Sequence, residues 1–222
     1  GLLCVITEVT VKILKKPQSV KAALIGFPTI EDGGNCVSEI IAQGIIPSGM
    51  EMMDKALIHA TDDFVKAGYP RDAESMLIVE LDGTETEVME LINKVSEIAN
   101  KNNSTSIKIS KNESQRLKFW AGRKAAFPAC GDMAPDYYCM DGTIPRGKLA
   151  EVLKQIQKLS KKYNLPVANA FHAGDGNLHP LIMYDANEKN ALEKTEKFGA
   201  DILKYCVKVG GVLTGEHGVG VE

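Results

Sequence analysis

The stretch VANAFHAGDGNLHPLIMY, residues 167–184, decides the fold class that the sequence predicts. Two apolar runs, 167–171 and 178–184, flank the turn-forming segment Gly-Asp-Gly-Asn at 174–177. This arrangement is typical of two antiparallel strands joined directly by a short turn. Because the rest of the chain alternates strands with helices, a direct hairpin within it favours the α+β class. We therefore predict an antiparallel or mixed sheet with helices packed on one face.

Hydrophobic periodicity predicts the other elements, working outward from this hairpin. The helix at 84–100 is the clearest, because Thr84 and Glu87 match a capping box and apolar residues recur on one face. Predicted strands cover residues 3–14, 20–27, 75–83, 105–110 and 140–145, and predicted helices cover residues 31–43, 54–66, 84–100, 112–127, 147–163 and 187–209. The first strand ends at residues 15–17, Lys-Lys-Pro, where we place a domain boundary.

Composition excludes several classes of protein. The 222 residues carry 26 Lys and Arg against 29 Asp and Glu, so nucleic-acid binding through phosphate contacts is not expected. No apolar run approaches the roughly 20 residues of a membrane-spanning helix. The five cysteines are scattered without a C-x-x-C pair, which favours a reducing compartment and argues against disulfides, a zinc ribbon or cysteine-ligated iron–sulfur clusters. Since the chain starts at glycine and stops in a glycine-rich loop, we expect a piece of a longer protein.

The predicted hairpin also carries the strongest candidate for a functional site. If residues 174–177 form a four-residue turn, His172 faces His179 across the hairpin, with Cβ atoms about 4.5–5.5 Å apart. Two imidazoles so placed can chelate one divalent metal ion, since Zn–N bonds are about 2.0–2.1 Å long. An isolated histidine pair is more often structural, but a second segment with the same glycine-rich composition favours function.

That second segment, TGEHGVG at 214–220, supplies an acid and a base. Glu216 offers an oxygen ligand, and two histidines with one carboxylate leave coordination positions open, as in catalytic metal sites. His217 would then lie beside the metal ion as a base that works near neutral pH. Asn177 is a candidate for a hydrogen bond to the substrate or for an outer-sphere contact.

Other candidates are weaker. The planar guanidinium of Arg123 suits a carboxylate, although this residue by itself favours a solvated helix face. His59 lies in a predicted helix without a partner histidine, and we predict a structural role for it. A G-x-G-x-x-G segment between a strand and a helix and a Walker-type loop are both absent from the sequence, so a nicotinamide cofactor or a nucleoside triphosphate is not supported.

At these residues the sequence resembles a known family. HAGDGNLHP at 172–180 and TGEHGVG at 214–220 are similar to the two signature segments of the FAD-linked oxidase C-terminal domain, found in flavoenzymes with a vanillyl-alcohol-oxidase type FAD domain. WAGRKAAFPA at 120–129 and PDYYCMDGTIPR at 135–146 resemble, within that family, the FAD-containing D subunits of bacterial glycolate oxidases. GLLCVITEVTVKILKKP at 1–17 resembles the last strand of the preceding FAD-binding domain.

The resemblance implies a ferredoxin-like substrate or cap domain at 18–222, cut at its C-terminus, which packs over a flavin held by an N-terminal domain. It implies oxidation of glycolate or another D-2-hydroxy acid to the 2-oxo acid, with hydride transfer to FAD. The isolated chain would then neither retain FAD nor turn over. The resemblance further implies a cytoplasmic protein, or one peripheral to the inner face of a membrane, that assembles with a second flavin-type subunit and an iron–sulfur subunit.

The resemblance also implies residue roles. His172, His179 and Glu216 would hold a divalent metal ion such as zinc, manganese or iron, which would polarise the substrate. His217 would take the hydroxyl proton, and Arg123 would bind the substrate carboxylate. Cys139 stands where some relatives carry a substrate-binding lysine.

Competing hypotheses stay open at this point. Within the same enzyme class, D-lactate or D-2-hydroxyglutarate is the alternative substrate. A non-catalytic ferredoxin-like module that binds a ligand or partner would not depend on His217. A metal hydrolase built on the same residues would act without flavin, although the sequence has no H-E-x-x-H helix.

Overall fold

The computed structural model describes residues 4–218, in which seven strands form one sheet. The strands are β1 (Ser19–Phe27), β2 (Gly49–Asp54), β3 (Ser75–Gly83), β4 (Ser106–Ile109), β5 (Asp136–Cys139), β6 (Val167–His172) and β7 (Asn177–Tyr184). The α-helices are α1 (Ile30–Ala42), α2 (Lys55–Val65), α3 (Glu85–Lys101), α4 (Glu113–Lys124), α5 (Ala126–Ala129), α6 (Leu149–Tyr163) and α7 (Ala191–Lys208). Every strand pairing among these residues is antiparallel, which confirms the predicted α+β class.

The sheet consists of two parts joined in its middle. The first four strands have the order β4-β1-β3-β2, with α1 before β2 and α3 before β4, which is the ferredoxin-like arrangement. The order continues β6-β7-β5, and β6 pairs with β2 so that Glu51 lies opposite His172 and Met53 opposite Ala170. The predicted capping box is confirmed at the start of α3, where Thr84 and Glu87 bond each other's backbone amide. The central pairing between β2 and β6 positions the candidate site.

Helices cover both faces of the sheet. The long helices α1, α3, α6 and α7 pack on one face, as predicted, around a core that includes Phe27, Phe171 and Phe198. The shorter helices α2, α4 and α5 cover part of the other face, against residues such as Leu24 and Ile78. This second layer is a correction to the prediction of helices on one face only. Its cause lies in β1 and β3, whose apolar runs bury side chains on both faces.

One predicted strand was misplaced, and one strand was missed. The strand predicted at 140–145 lies earlier, at β5, and Thr143 makes only single bridges to Asn177 and Val212. The aromatic pair within β5 suits a strand better than the segment that Gly142 interrupts. The strand β2 was missed, because its sequence GMEMMD has neither alternation nor β-branched residues.

Two helix boundaries also differ from the prediction. The helix predicted at 112–127 breaks at Ala125, and Pro128 lies in the short α5 that follows. Proline is tolerated there because the first helical turn has no intrahelical partner for its amide. The helix predicted at 187–209 begins only at Ala191, after Asn190 adopts a left-handed backbone with φ of 63°.

Residues 4–17, the described part of the N-terminal segment, pair with no strand of the sheet. Residues 4–17 have no regular secondary structure, and Val5 and Ile13 are 86% and 87% exposed. Residues 4–14 of the predicted strand 3–14 are therefore not part of this sheet, and residue 3 lies outside the described range. Its assignment, with residues 1–17, to the end of an FAD-binding domain stays a prediction.

Candidate active site and metal centre

The hairpin β6–β7 brings His172 and His179 together, but in a different register from the one predicted. His172 lies opposite Asn177, and His179 lies opposite Ala170, so the turn covers residues 173–176 rather than 174–177. The register differs from the prediction by two residues, which keeps both histidines on one face of the sheet. They are diagonal neighbours, with ring centroids 5.1 Å apart and perpendicular ring planes.

Glycine is required at the last position of this turn. Gly176 has φ of 78°, a left-handed backbone, and a Cβ there would lie 2.2 Å from the carbonyl oxygen of Ile144. The amide of Ile144 donates to the Gly176 carbonyl oxygen at 2.9 Å. The turn is therefore clamped against residues 143–144, which also approach the segment carrying Glu216.

Asp141 anchors that segment. Its Oδ2 accepts hydrogen bonds from the Thr214 hydroxyl at 2.6 Å and from the amides of Gly215, Glu216 and His217 at 3.0, 2.9 and 2.7 Å. Burial opposes ionisation, but the Thr214 and backbone donors hold the pKa of Asp141 at about 2. Sequence reasoning missed Asp141, although it lies within a motif that the family resemblance covers.

Glu216 and His217 reach the histidine pair from this anchored segment. Oε2 of Glu216 lies 3.4 Å from Nε2 of His179 and 3.6 Å from Nε2 of His172. The His217 ring stacks on His179, with centroids 5.1 Å apart and an interplanar angle of 11°. His179 is 2% exposed, whereas the Glu216 side chain is 51% exposed. The four predicted residues therefore form one cluster that is closed at His179 and open at Glu216.

A buried carboxylate links this cluster to Arg123. Glu51 accepts a hydrogen bond from His172 Nδ1 at 2.8 Å through Oε1 and one from Arg123 Nε at 2.9 Å through Oε2. Arg123, on α4, is 8% exposed. The prediction of a solvated arginine is thus wrong, and Arg123 joins the network of His172. Glu51 went unpredicted because it lies in the missed strand β2.

The surroundings of the two hairpin histidines shift their pKa values in opposite directions. The hydrogen bond to Glu51 raises the pKa of His172, against the effect of burial. Burial, together with the neighbouring His172, lowers the pKa of His179, so this ring is neutral at pH 7. Its Nδ1 donates to the Met140 carbonyl oxygen at 3.3 Å, so Nε2 carries no proton and its lone pair faces Glu216.

This donor set fits a divalent metal ion. Both Nδ1 atoms are engaged by oxygen acceptors, which orients each Nε2 toward Glu216 as in carboxylate–histidine–metal sites. Ligand atoms of Asp141, His179, Glu216 and His217 lie within 4.8 Å of one another, and so do those of Cys139, His179 and His217, whereas His172 belongs to neither group. Two imidazoles and a carboxylate suit zinc, manganese or iron.

The remaining predicted residues lie near or away from this cluster. Asn177 is buried, and its Oδ1 packs against Gly215 without a hydrogen-bond partner among the described residues, so its contact with substrate stays a prediction. The Cys139 thiol is protonated, because burial raises its pKa to about 12. His59 bonds the Arg71 carbonyl oxygen at 2.7 Å, in agreement with a structural role.

Fold and site together define a class: an α+β domain whose antiparallel sheet carries a His–His–Glu cluster beside a further histidine and a buried Glu–Arg pair. The sequence matches the family described as "FAD linked oxidases, C-terminal domain" over residues 16–222. The chain belongs to this family, which confirms the resemblance drawn from the two histidine motifs.

Individual relatives agree with this assignment. The chain is 53% identical to "Glycolate oxidase subunit GlcD" of Escherichia coli, a match that covers 100% of this chain and 44% of the relative. It is 32% identical to a mitochondrial "D-lactate dehydrogenase [cytochrome]" of Arabidopsis thaliana, covering 99% of this chain and 39% of the relative. The chain thus spans less than half the length of these relatives.

The fold is shared with solved structures. Substrate-bound p-cresol methylhydroxylase superposes with a TM-score of 0.69 at 13% identity, covering 90% of this chain and 46% of that one. At this identity the likeness concerns the fold alone.

Proposed function

We propose that this chain is the substrate-binding domain of an FAD-dependent 2-hydroxy-acid dehydrogenase that oxidises glycolate to its 2-oxo acid. The observation that carries this proposal is the convergence of His172 Nε2 and His179 Nε2 on one carboxylate oxygen of Glu216, with His217 stacked alongside. Membership of the FAD-linked oxidase family supports FAD as the cofactor, and the identity to a glycolate oxidase subunit supports glycolate.

Arg123 binds the substrate carboxylate in this proposal. Its Nε is held by Glu51, and NH1 and NH2 form no hydrogen bond to another residue within the described range. A guanidinium fixed at one nitrogen presents its two terminal nitrogens as a fork, which matches the two oxygens of a carboxylate. Because Glu51 also holds His172, the substrate carboxylate and hydroxyl are positioned by one rigid network.

His217 takes the hydroxyl proton. The proton leaves the substrate oxygen for an imidazole nitrogen of His217, while the hydrogen on the adjacent carbon leaves as hydride with both electrons of the C–H bond, so a C=O bond forms. FAD of the preceding domain supplies the hydride acceptor. His172, His179 and Glu216 would hold a divalent metal ion, which would supply Lewis-acid chemistry at the substrate hydroxyl. The anchored segment 214–217 keeps both the acidic ligand and the base in place.

D-Lactate is the second candidate substrate, supported by the D-lactate dehydrogenase relative. The test is flavin reduction by the full-length protein with glycolate, D-lactate and D-2-hydroxyglutarate in turn. We expect the fastest reduction with glycolate and a loss of about 100-fold or more in His217→Gln, the typical contribution of a general base. His59→Gln is the matched control, because His59 has a structural role, and this variant should reduce flavin at the wild-type rate. Reduction unaffected by His217→Gln would favour the non-catalytic module, and metal-dependent hydrolysis without flavin would favour the hydrolase.

Assembly is proposed from the same relatives, and location from the cysteines. We propose association with a second flavin-type subunit and an iron–sulfur subunit, supported by the word "subunit" in the name of the E. coli relative. None of the helices within residues 4–218 combines the length and hydrophobicity needed to cross a bilayer. All five cysteines are free thiols, which supports a cytoplasmic location, either free or peripheral to a membrane.

A further inference from the structure

Asp141 gathers an unusual number of donors on one oxygen. Its Oδ2 accepts from three successive backbone amides, those of residues 215–217, and from the Thr214 hydroxyl. Its carbonyl oxygen accepts once more from the amide of Gly215, at 2.8 Å. Successive amides that point at one anion form a concave anion site, and here the anion is the protein's own carboxylate. This single side chain therefore sets the conformation of the loop.

The other oxygen of the same carboxylate faces His179. Asp141 Oδ1 lies 3.8 Å from His179 Nδ1, and it is buried without a hydrogen-bond partner in the described part of the chain. The neighbouring Met140 carbonyl oxygen accepts from the same Nδ1 at 3.3 Å. Met140 and Asp141 therefore both approach the Nδ1 side of the His179 ring.

From this geometry we infer that Asp141 is a positioning residue, which folds the segment carrying Glu216 and His217 and orients His179 so that all three converge. It acts through these residues rather than on the substrate. Oδ2, already saturated by four donors, is unsuited to be a metal ligand as well. The inference rests on the proposed function only where it concerns metal binding.

The first test is amide hydrogen exchange in the segment 214–218. We expect Asp141→Asn to accelerate exchange of the Gly215, Glu216 and His217 amides by about 10-fold or more, the factor that follows from losing one charge-assisted hydrogen bond. Exchange in β1 and β3 should stay as in the wild type, which also shows that the variant folds. The exposed Asp132, changed to Asn, is the matched control and should leave the segment unaffected.

The second test is zinc affinity, measured by titration calorimetry on the same proteins. Asp141→Asn should bind zinc about 10–100-fold more weakly than the wild type, as expected for a residue that orients metal ligands. A second pair of variants, at Thr214, tests the result without changing the Asp141 carboxylate. Thr214→Val removes the 2.6 Å hydrogen bond and should weaken binding, whereas Thr214→Ser keeps the hydroxyl and should match the wild type.

The outcomes separate this inference from the proposed function. Unchanged exchange in Asp141→Asn would overturn the positioning role whatever the metal data show. Faster exchange with unchanged zinc affinity would overturn the link to the metal ligands. If the wild type binds no zinc, the metal assignment fails, and the exchange comparison still decides whether Asp141 folds the segment.

Discussion

Glu51 offers the sharpest prediction, because one buried carboxylate holds two functional side chains. In Glu51→Gln the shape is kept and the charge is removed. The hydrogen bonds to His172 Nδ1 and Arg123 Nε are 2.8 and 2.9 Å long, and the side chains of Glu51 and Arg123 are 11% and 9% exposed. Removing one partner of a buried ion pair leaves the other charge uncompensated, which lowers the free energy of unfolding by about 3–5 kcal/mol.

The amide of glutamine can still satisfy one of the two partners, so we expect the lower end of that range. A loss of about 3 kcal/mol in the free energy of unfolding corresponds to a decrease of roughly 6–12 °C in Tm for a chain of this length. Urea denaturation followed by circular dichroism measures the change. Glu113→Gln is the matched control, because Glu113 pairs with Arg116 at the surface and should lose less than about 1 kcal/mol.

A double-mutant cycle with Arg123→Met tests whether the effect arises from this pair. We expect a coupling energy of at least about 1 kcal/mol between the two positions, since residues in one hydrogen-bonded network do not behave additively. If Glu51→Gln lost no more stability than Glu113→Gln, or if the cycle showed no coupling, the argument for a buried Glu51–Arg123–His172 network would be refuted.

Two further predictions concern stability away from the site. Burial raises the pKa of Asp54 to about 6 in the folded protein, so the native state binds more protons than the unfolded state between about pH 4 and pH 6. Stability should fall by about 3 kcal/mol as pH rises through this window and then level off, and Asp54→Asn, followed by urea denaturation at each pH, should abolish this dependence. In Gly122→Ala the new Cβ would lie 2.4 Å from the Tyr69 ring, so we expect a loss of about 2–3 kcal/mol in the free energy of unfolding by the same assay. Gly131→Ala is the control and should change little, because the space there is open. Equal stability of these two variants would show that the contact with Tyr69 can relax freely.

Local patterns predicted the hairpin and the long helices well. The capping box at Thr84 and the apolar stripes of α3 and α6 depend on residues close in sequence, so the sequence alone shows them. The hairpin register was wrong by two residues, because the position of a glycine-rich turn depends on the clamp between Gly176 and Ile144. That contact is long-range and leaves no local signal.

For the same reason, the sequence predicted only part of the candidate site. Histidines and an acid in glycine-rich segments are conspicuous, and the structure brings His172, His179, Glu216 and His217 together. The residues that hold them were missed. A lone acidic residue in a methionine-rich strand or beside a glycine resembles any surface carboxylate until the sheet buries it.

The central claim is that His172, His179 and Glu216 form a metal site, and elemental analysis of the purified full-length protein tests it most directly. The comparison is between the wild type, His179→Ala and the control His59→Ala. We predict near-stoichiometric zinc, manganese or iron in the wild type and the control and its loss in His179→Ala. A wild-type protein without metal, or a His179→Ala variant that retains it, would contradict the claim.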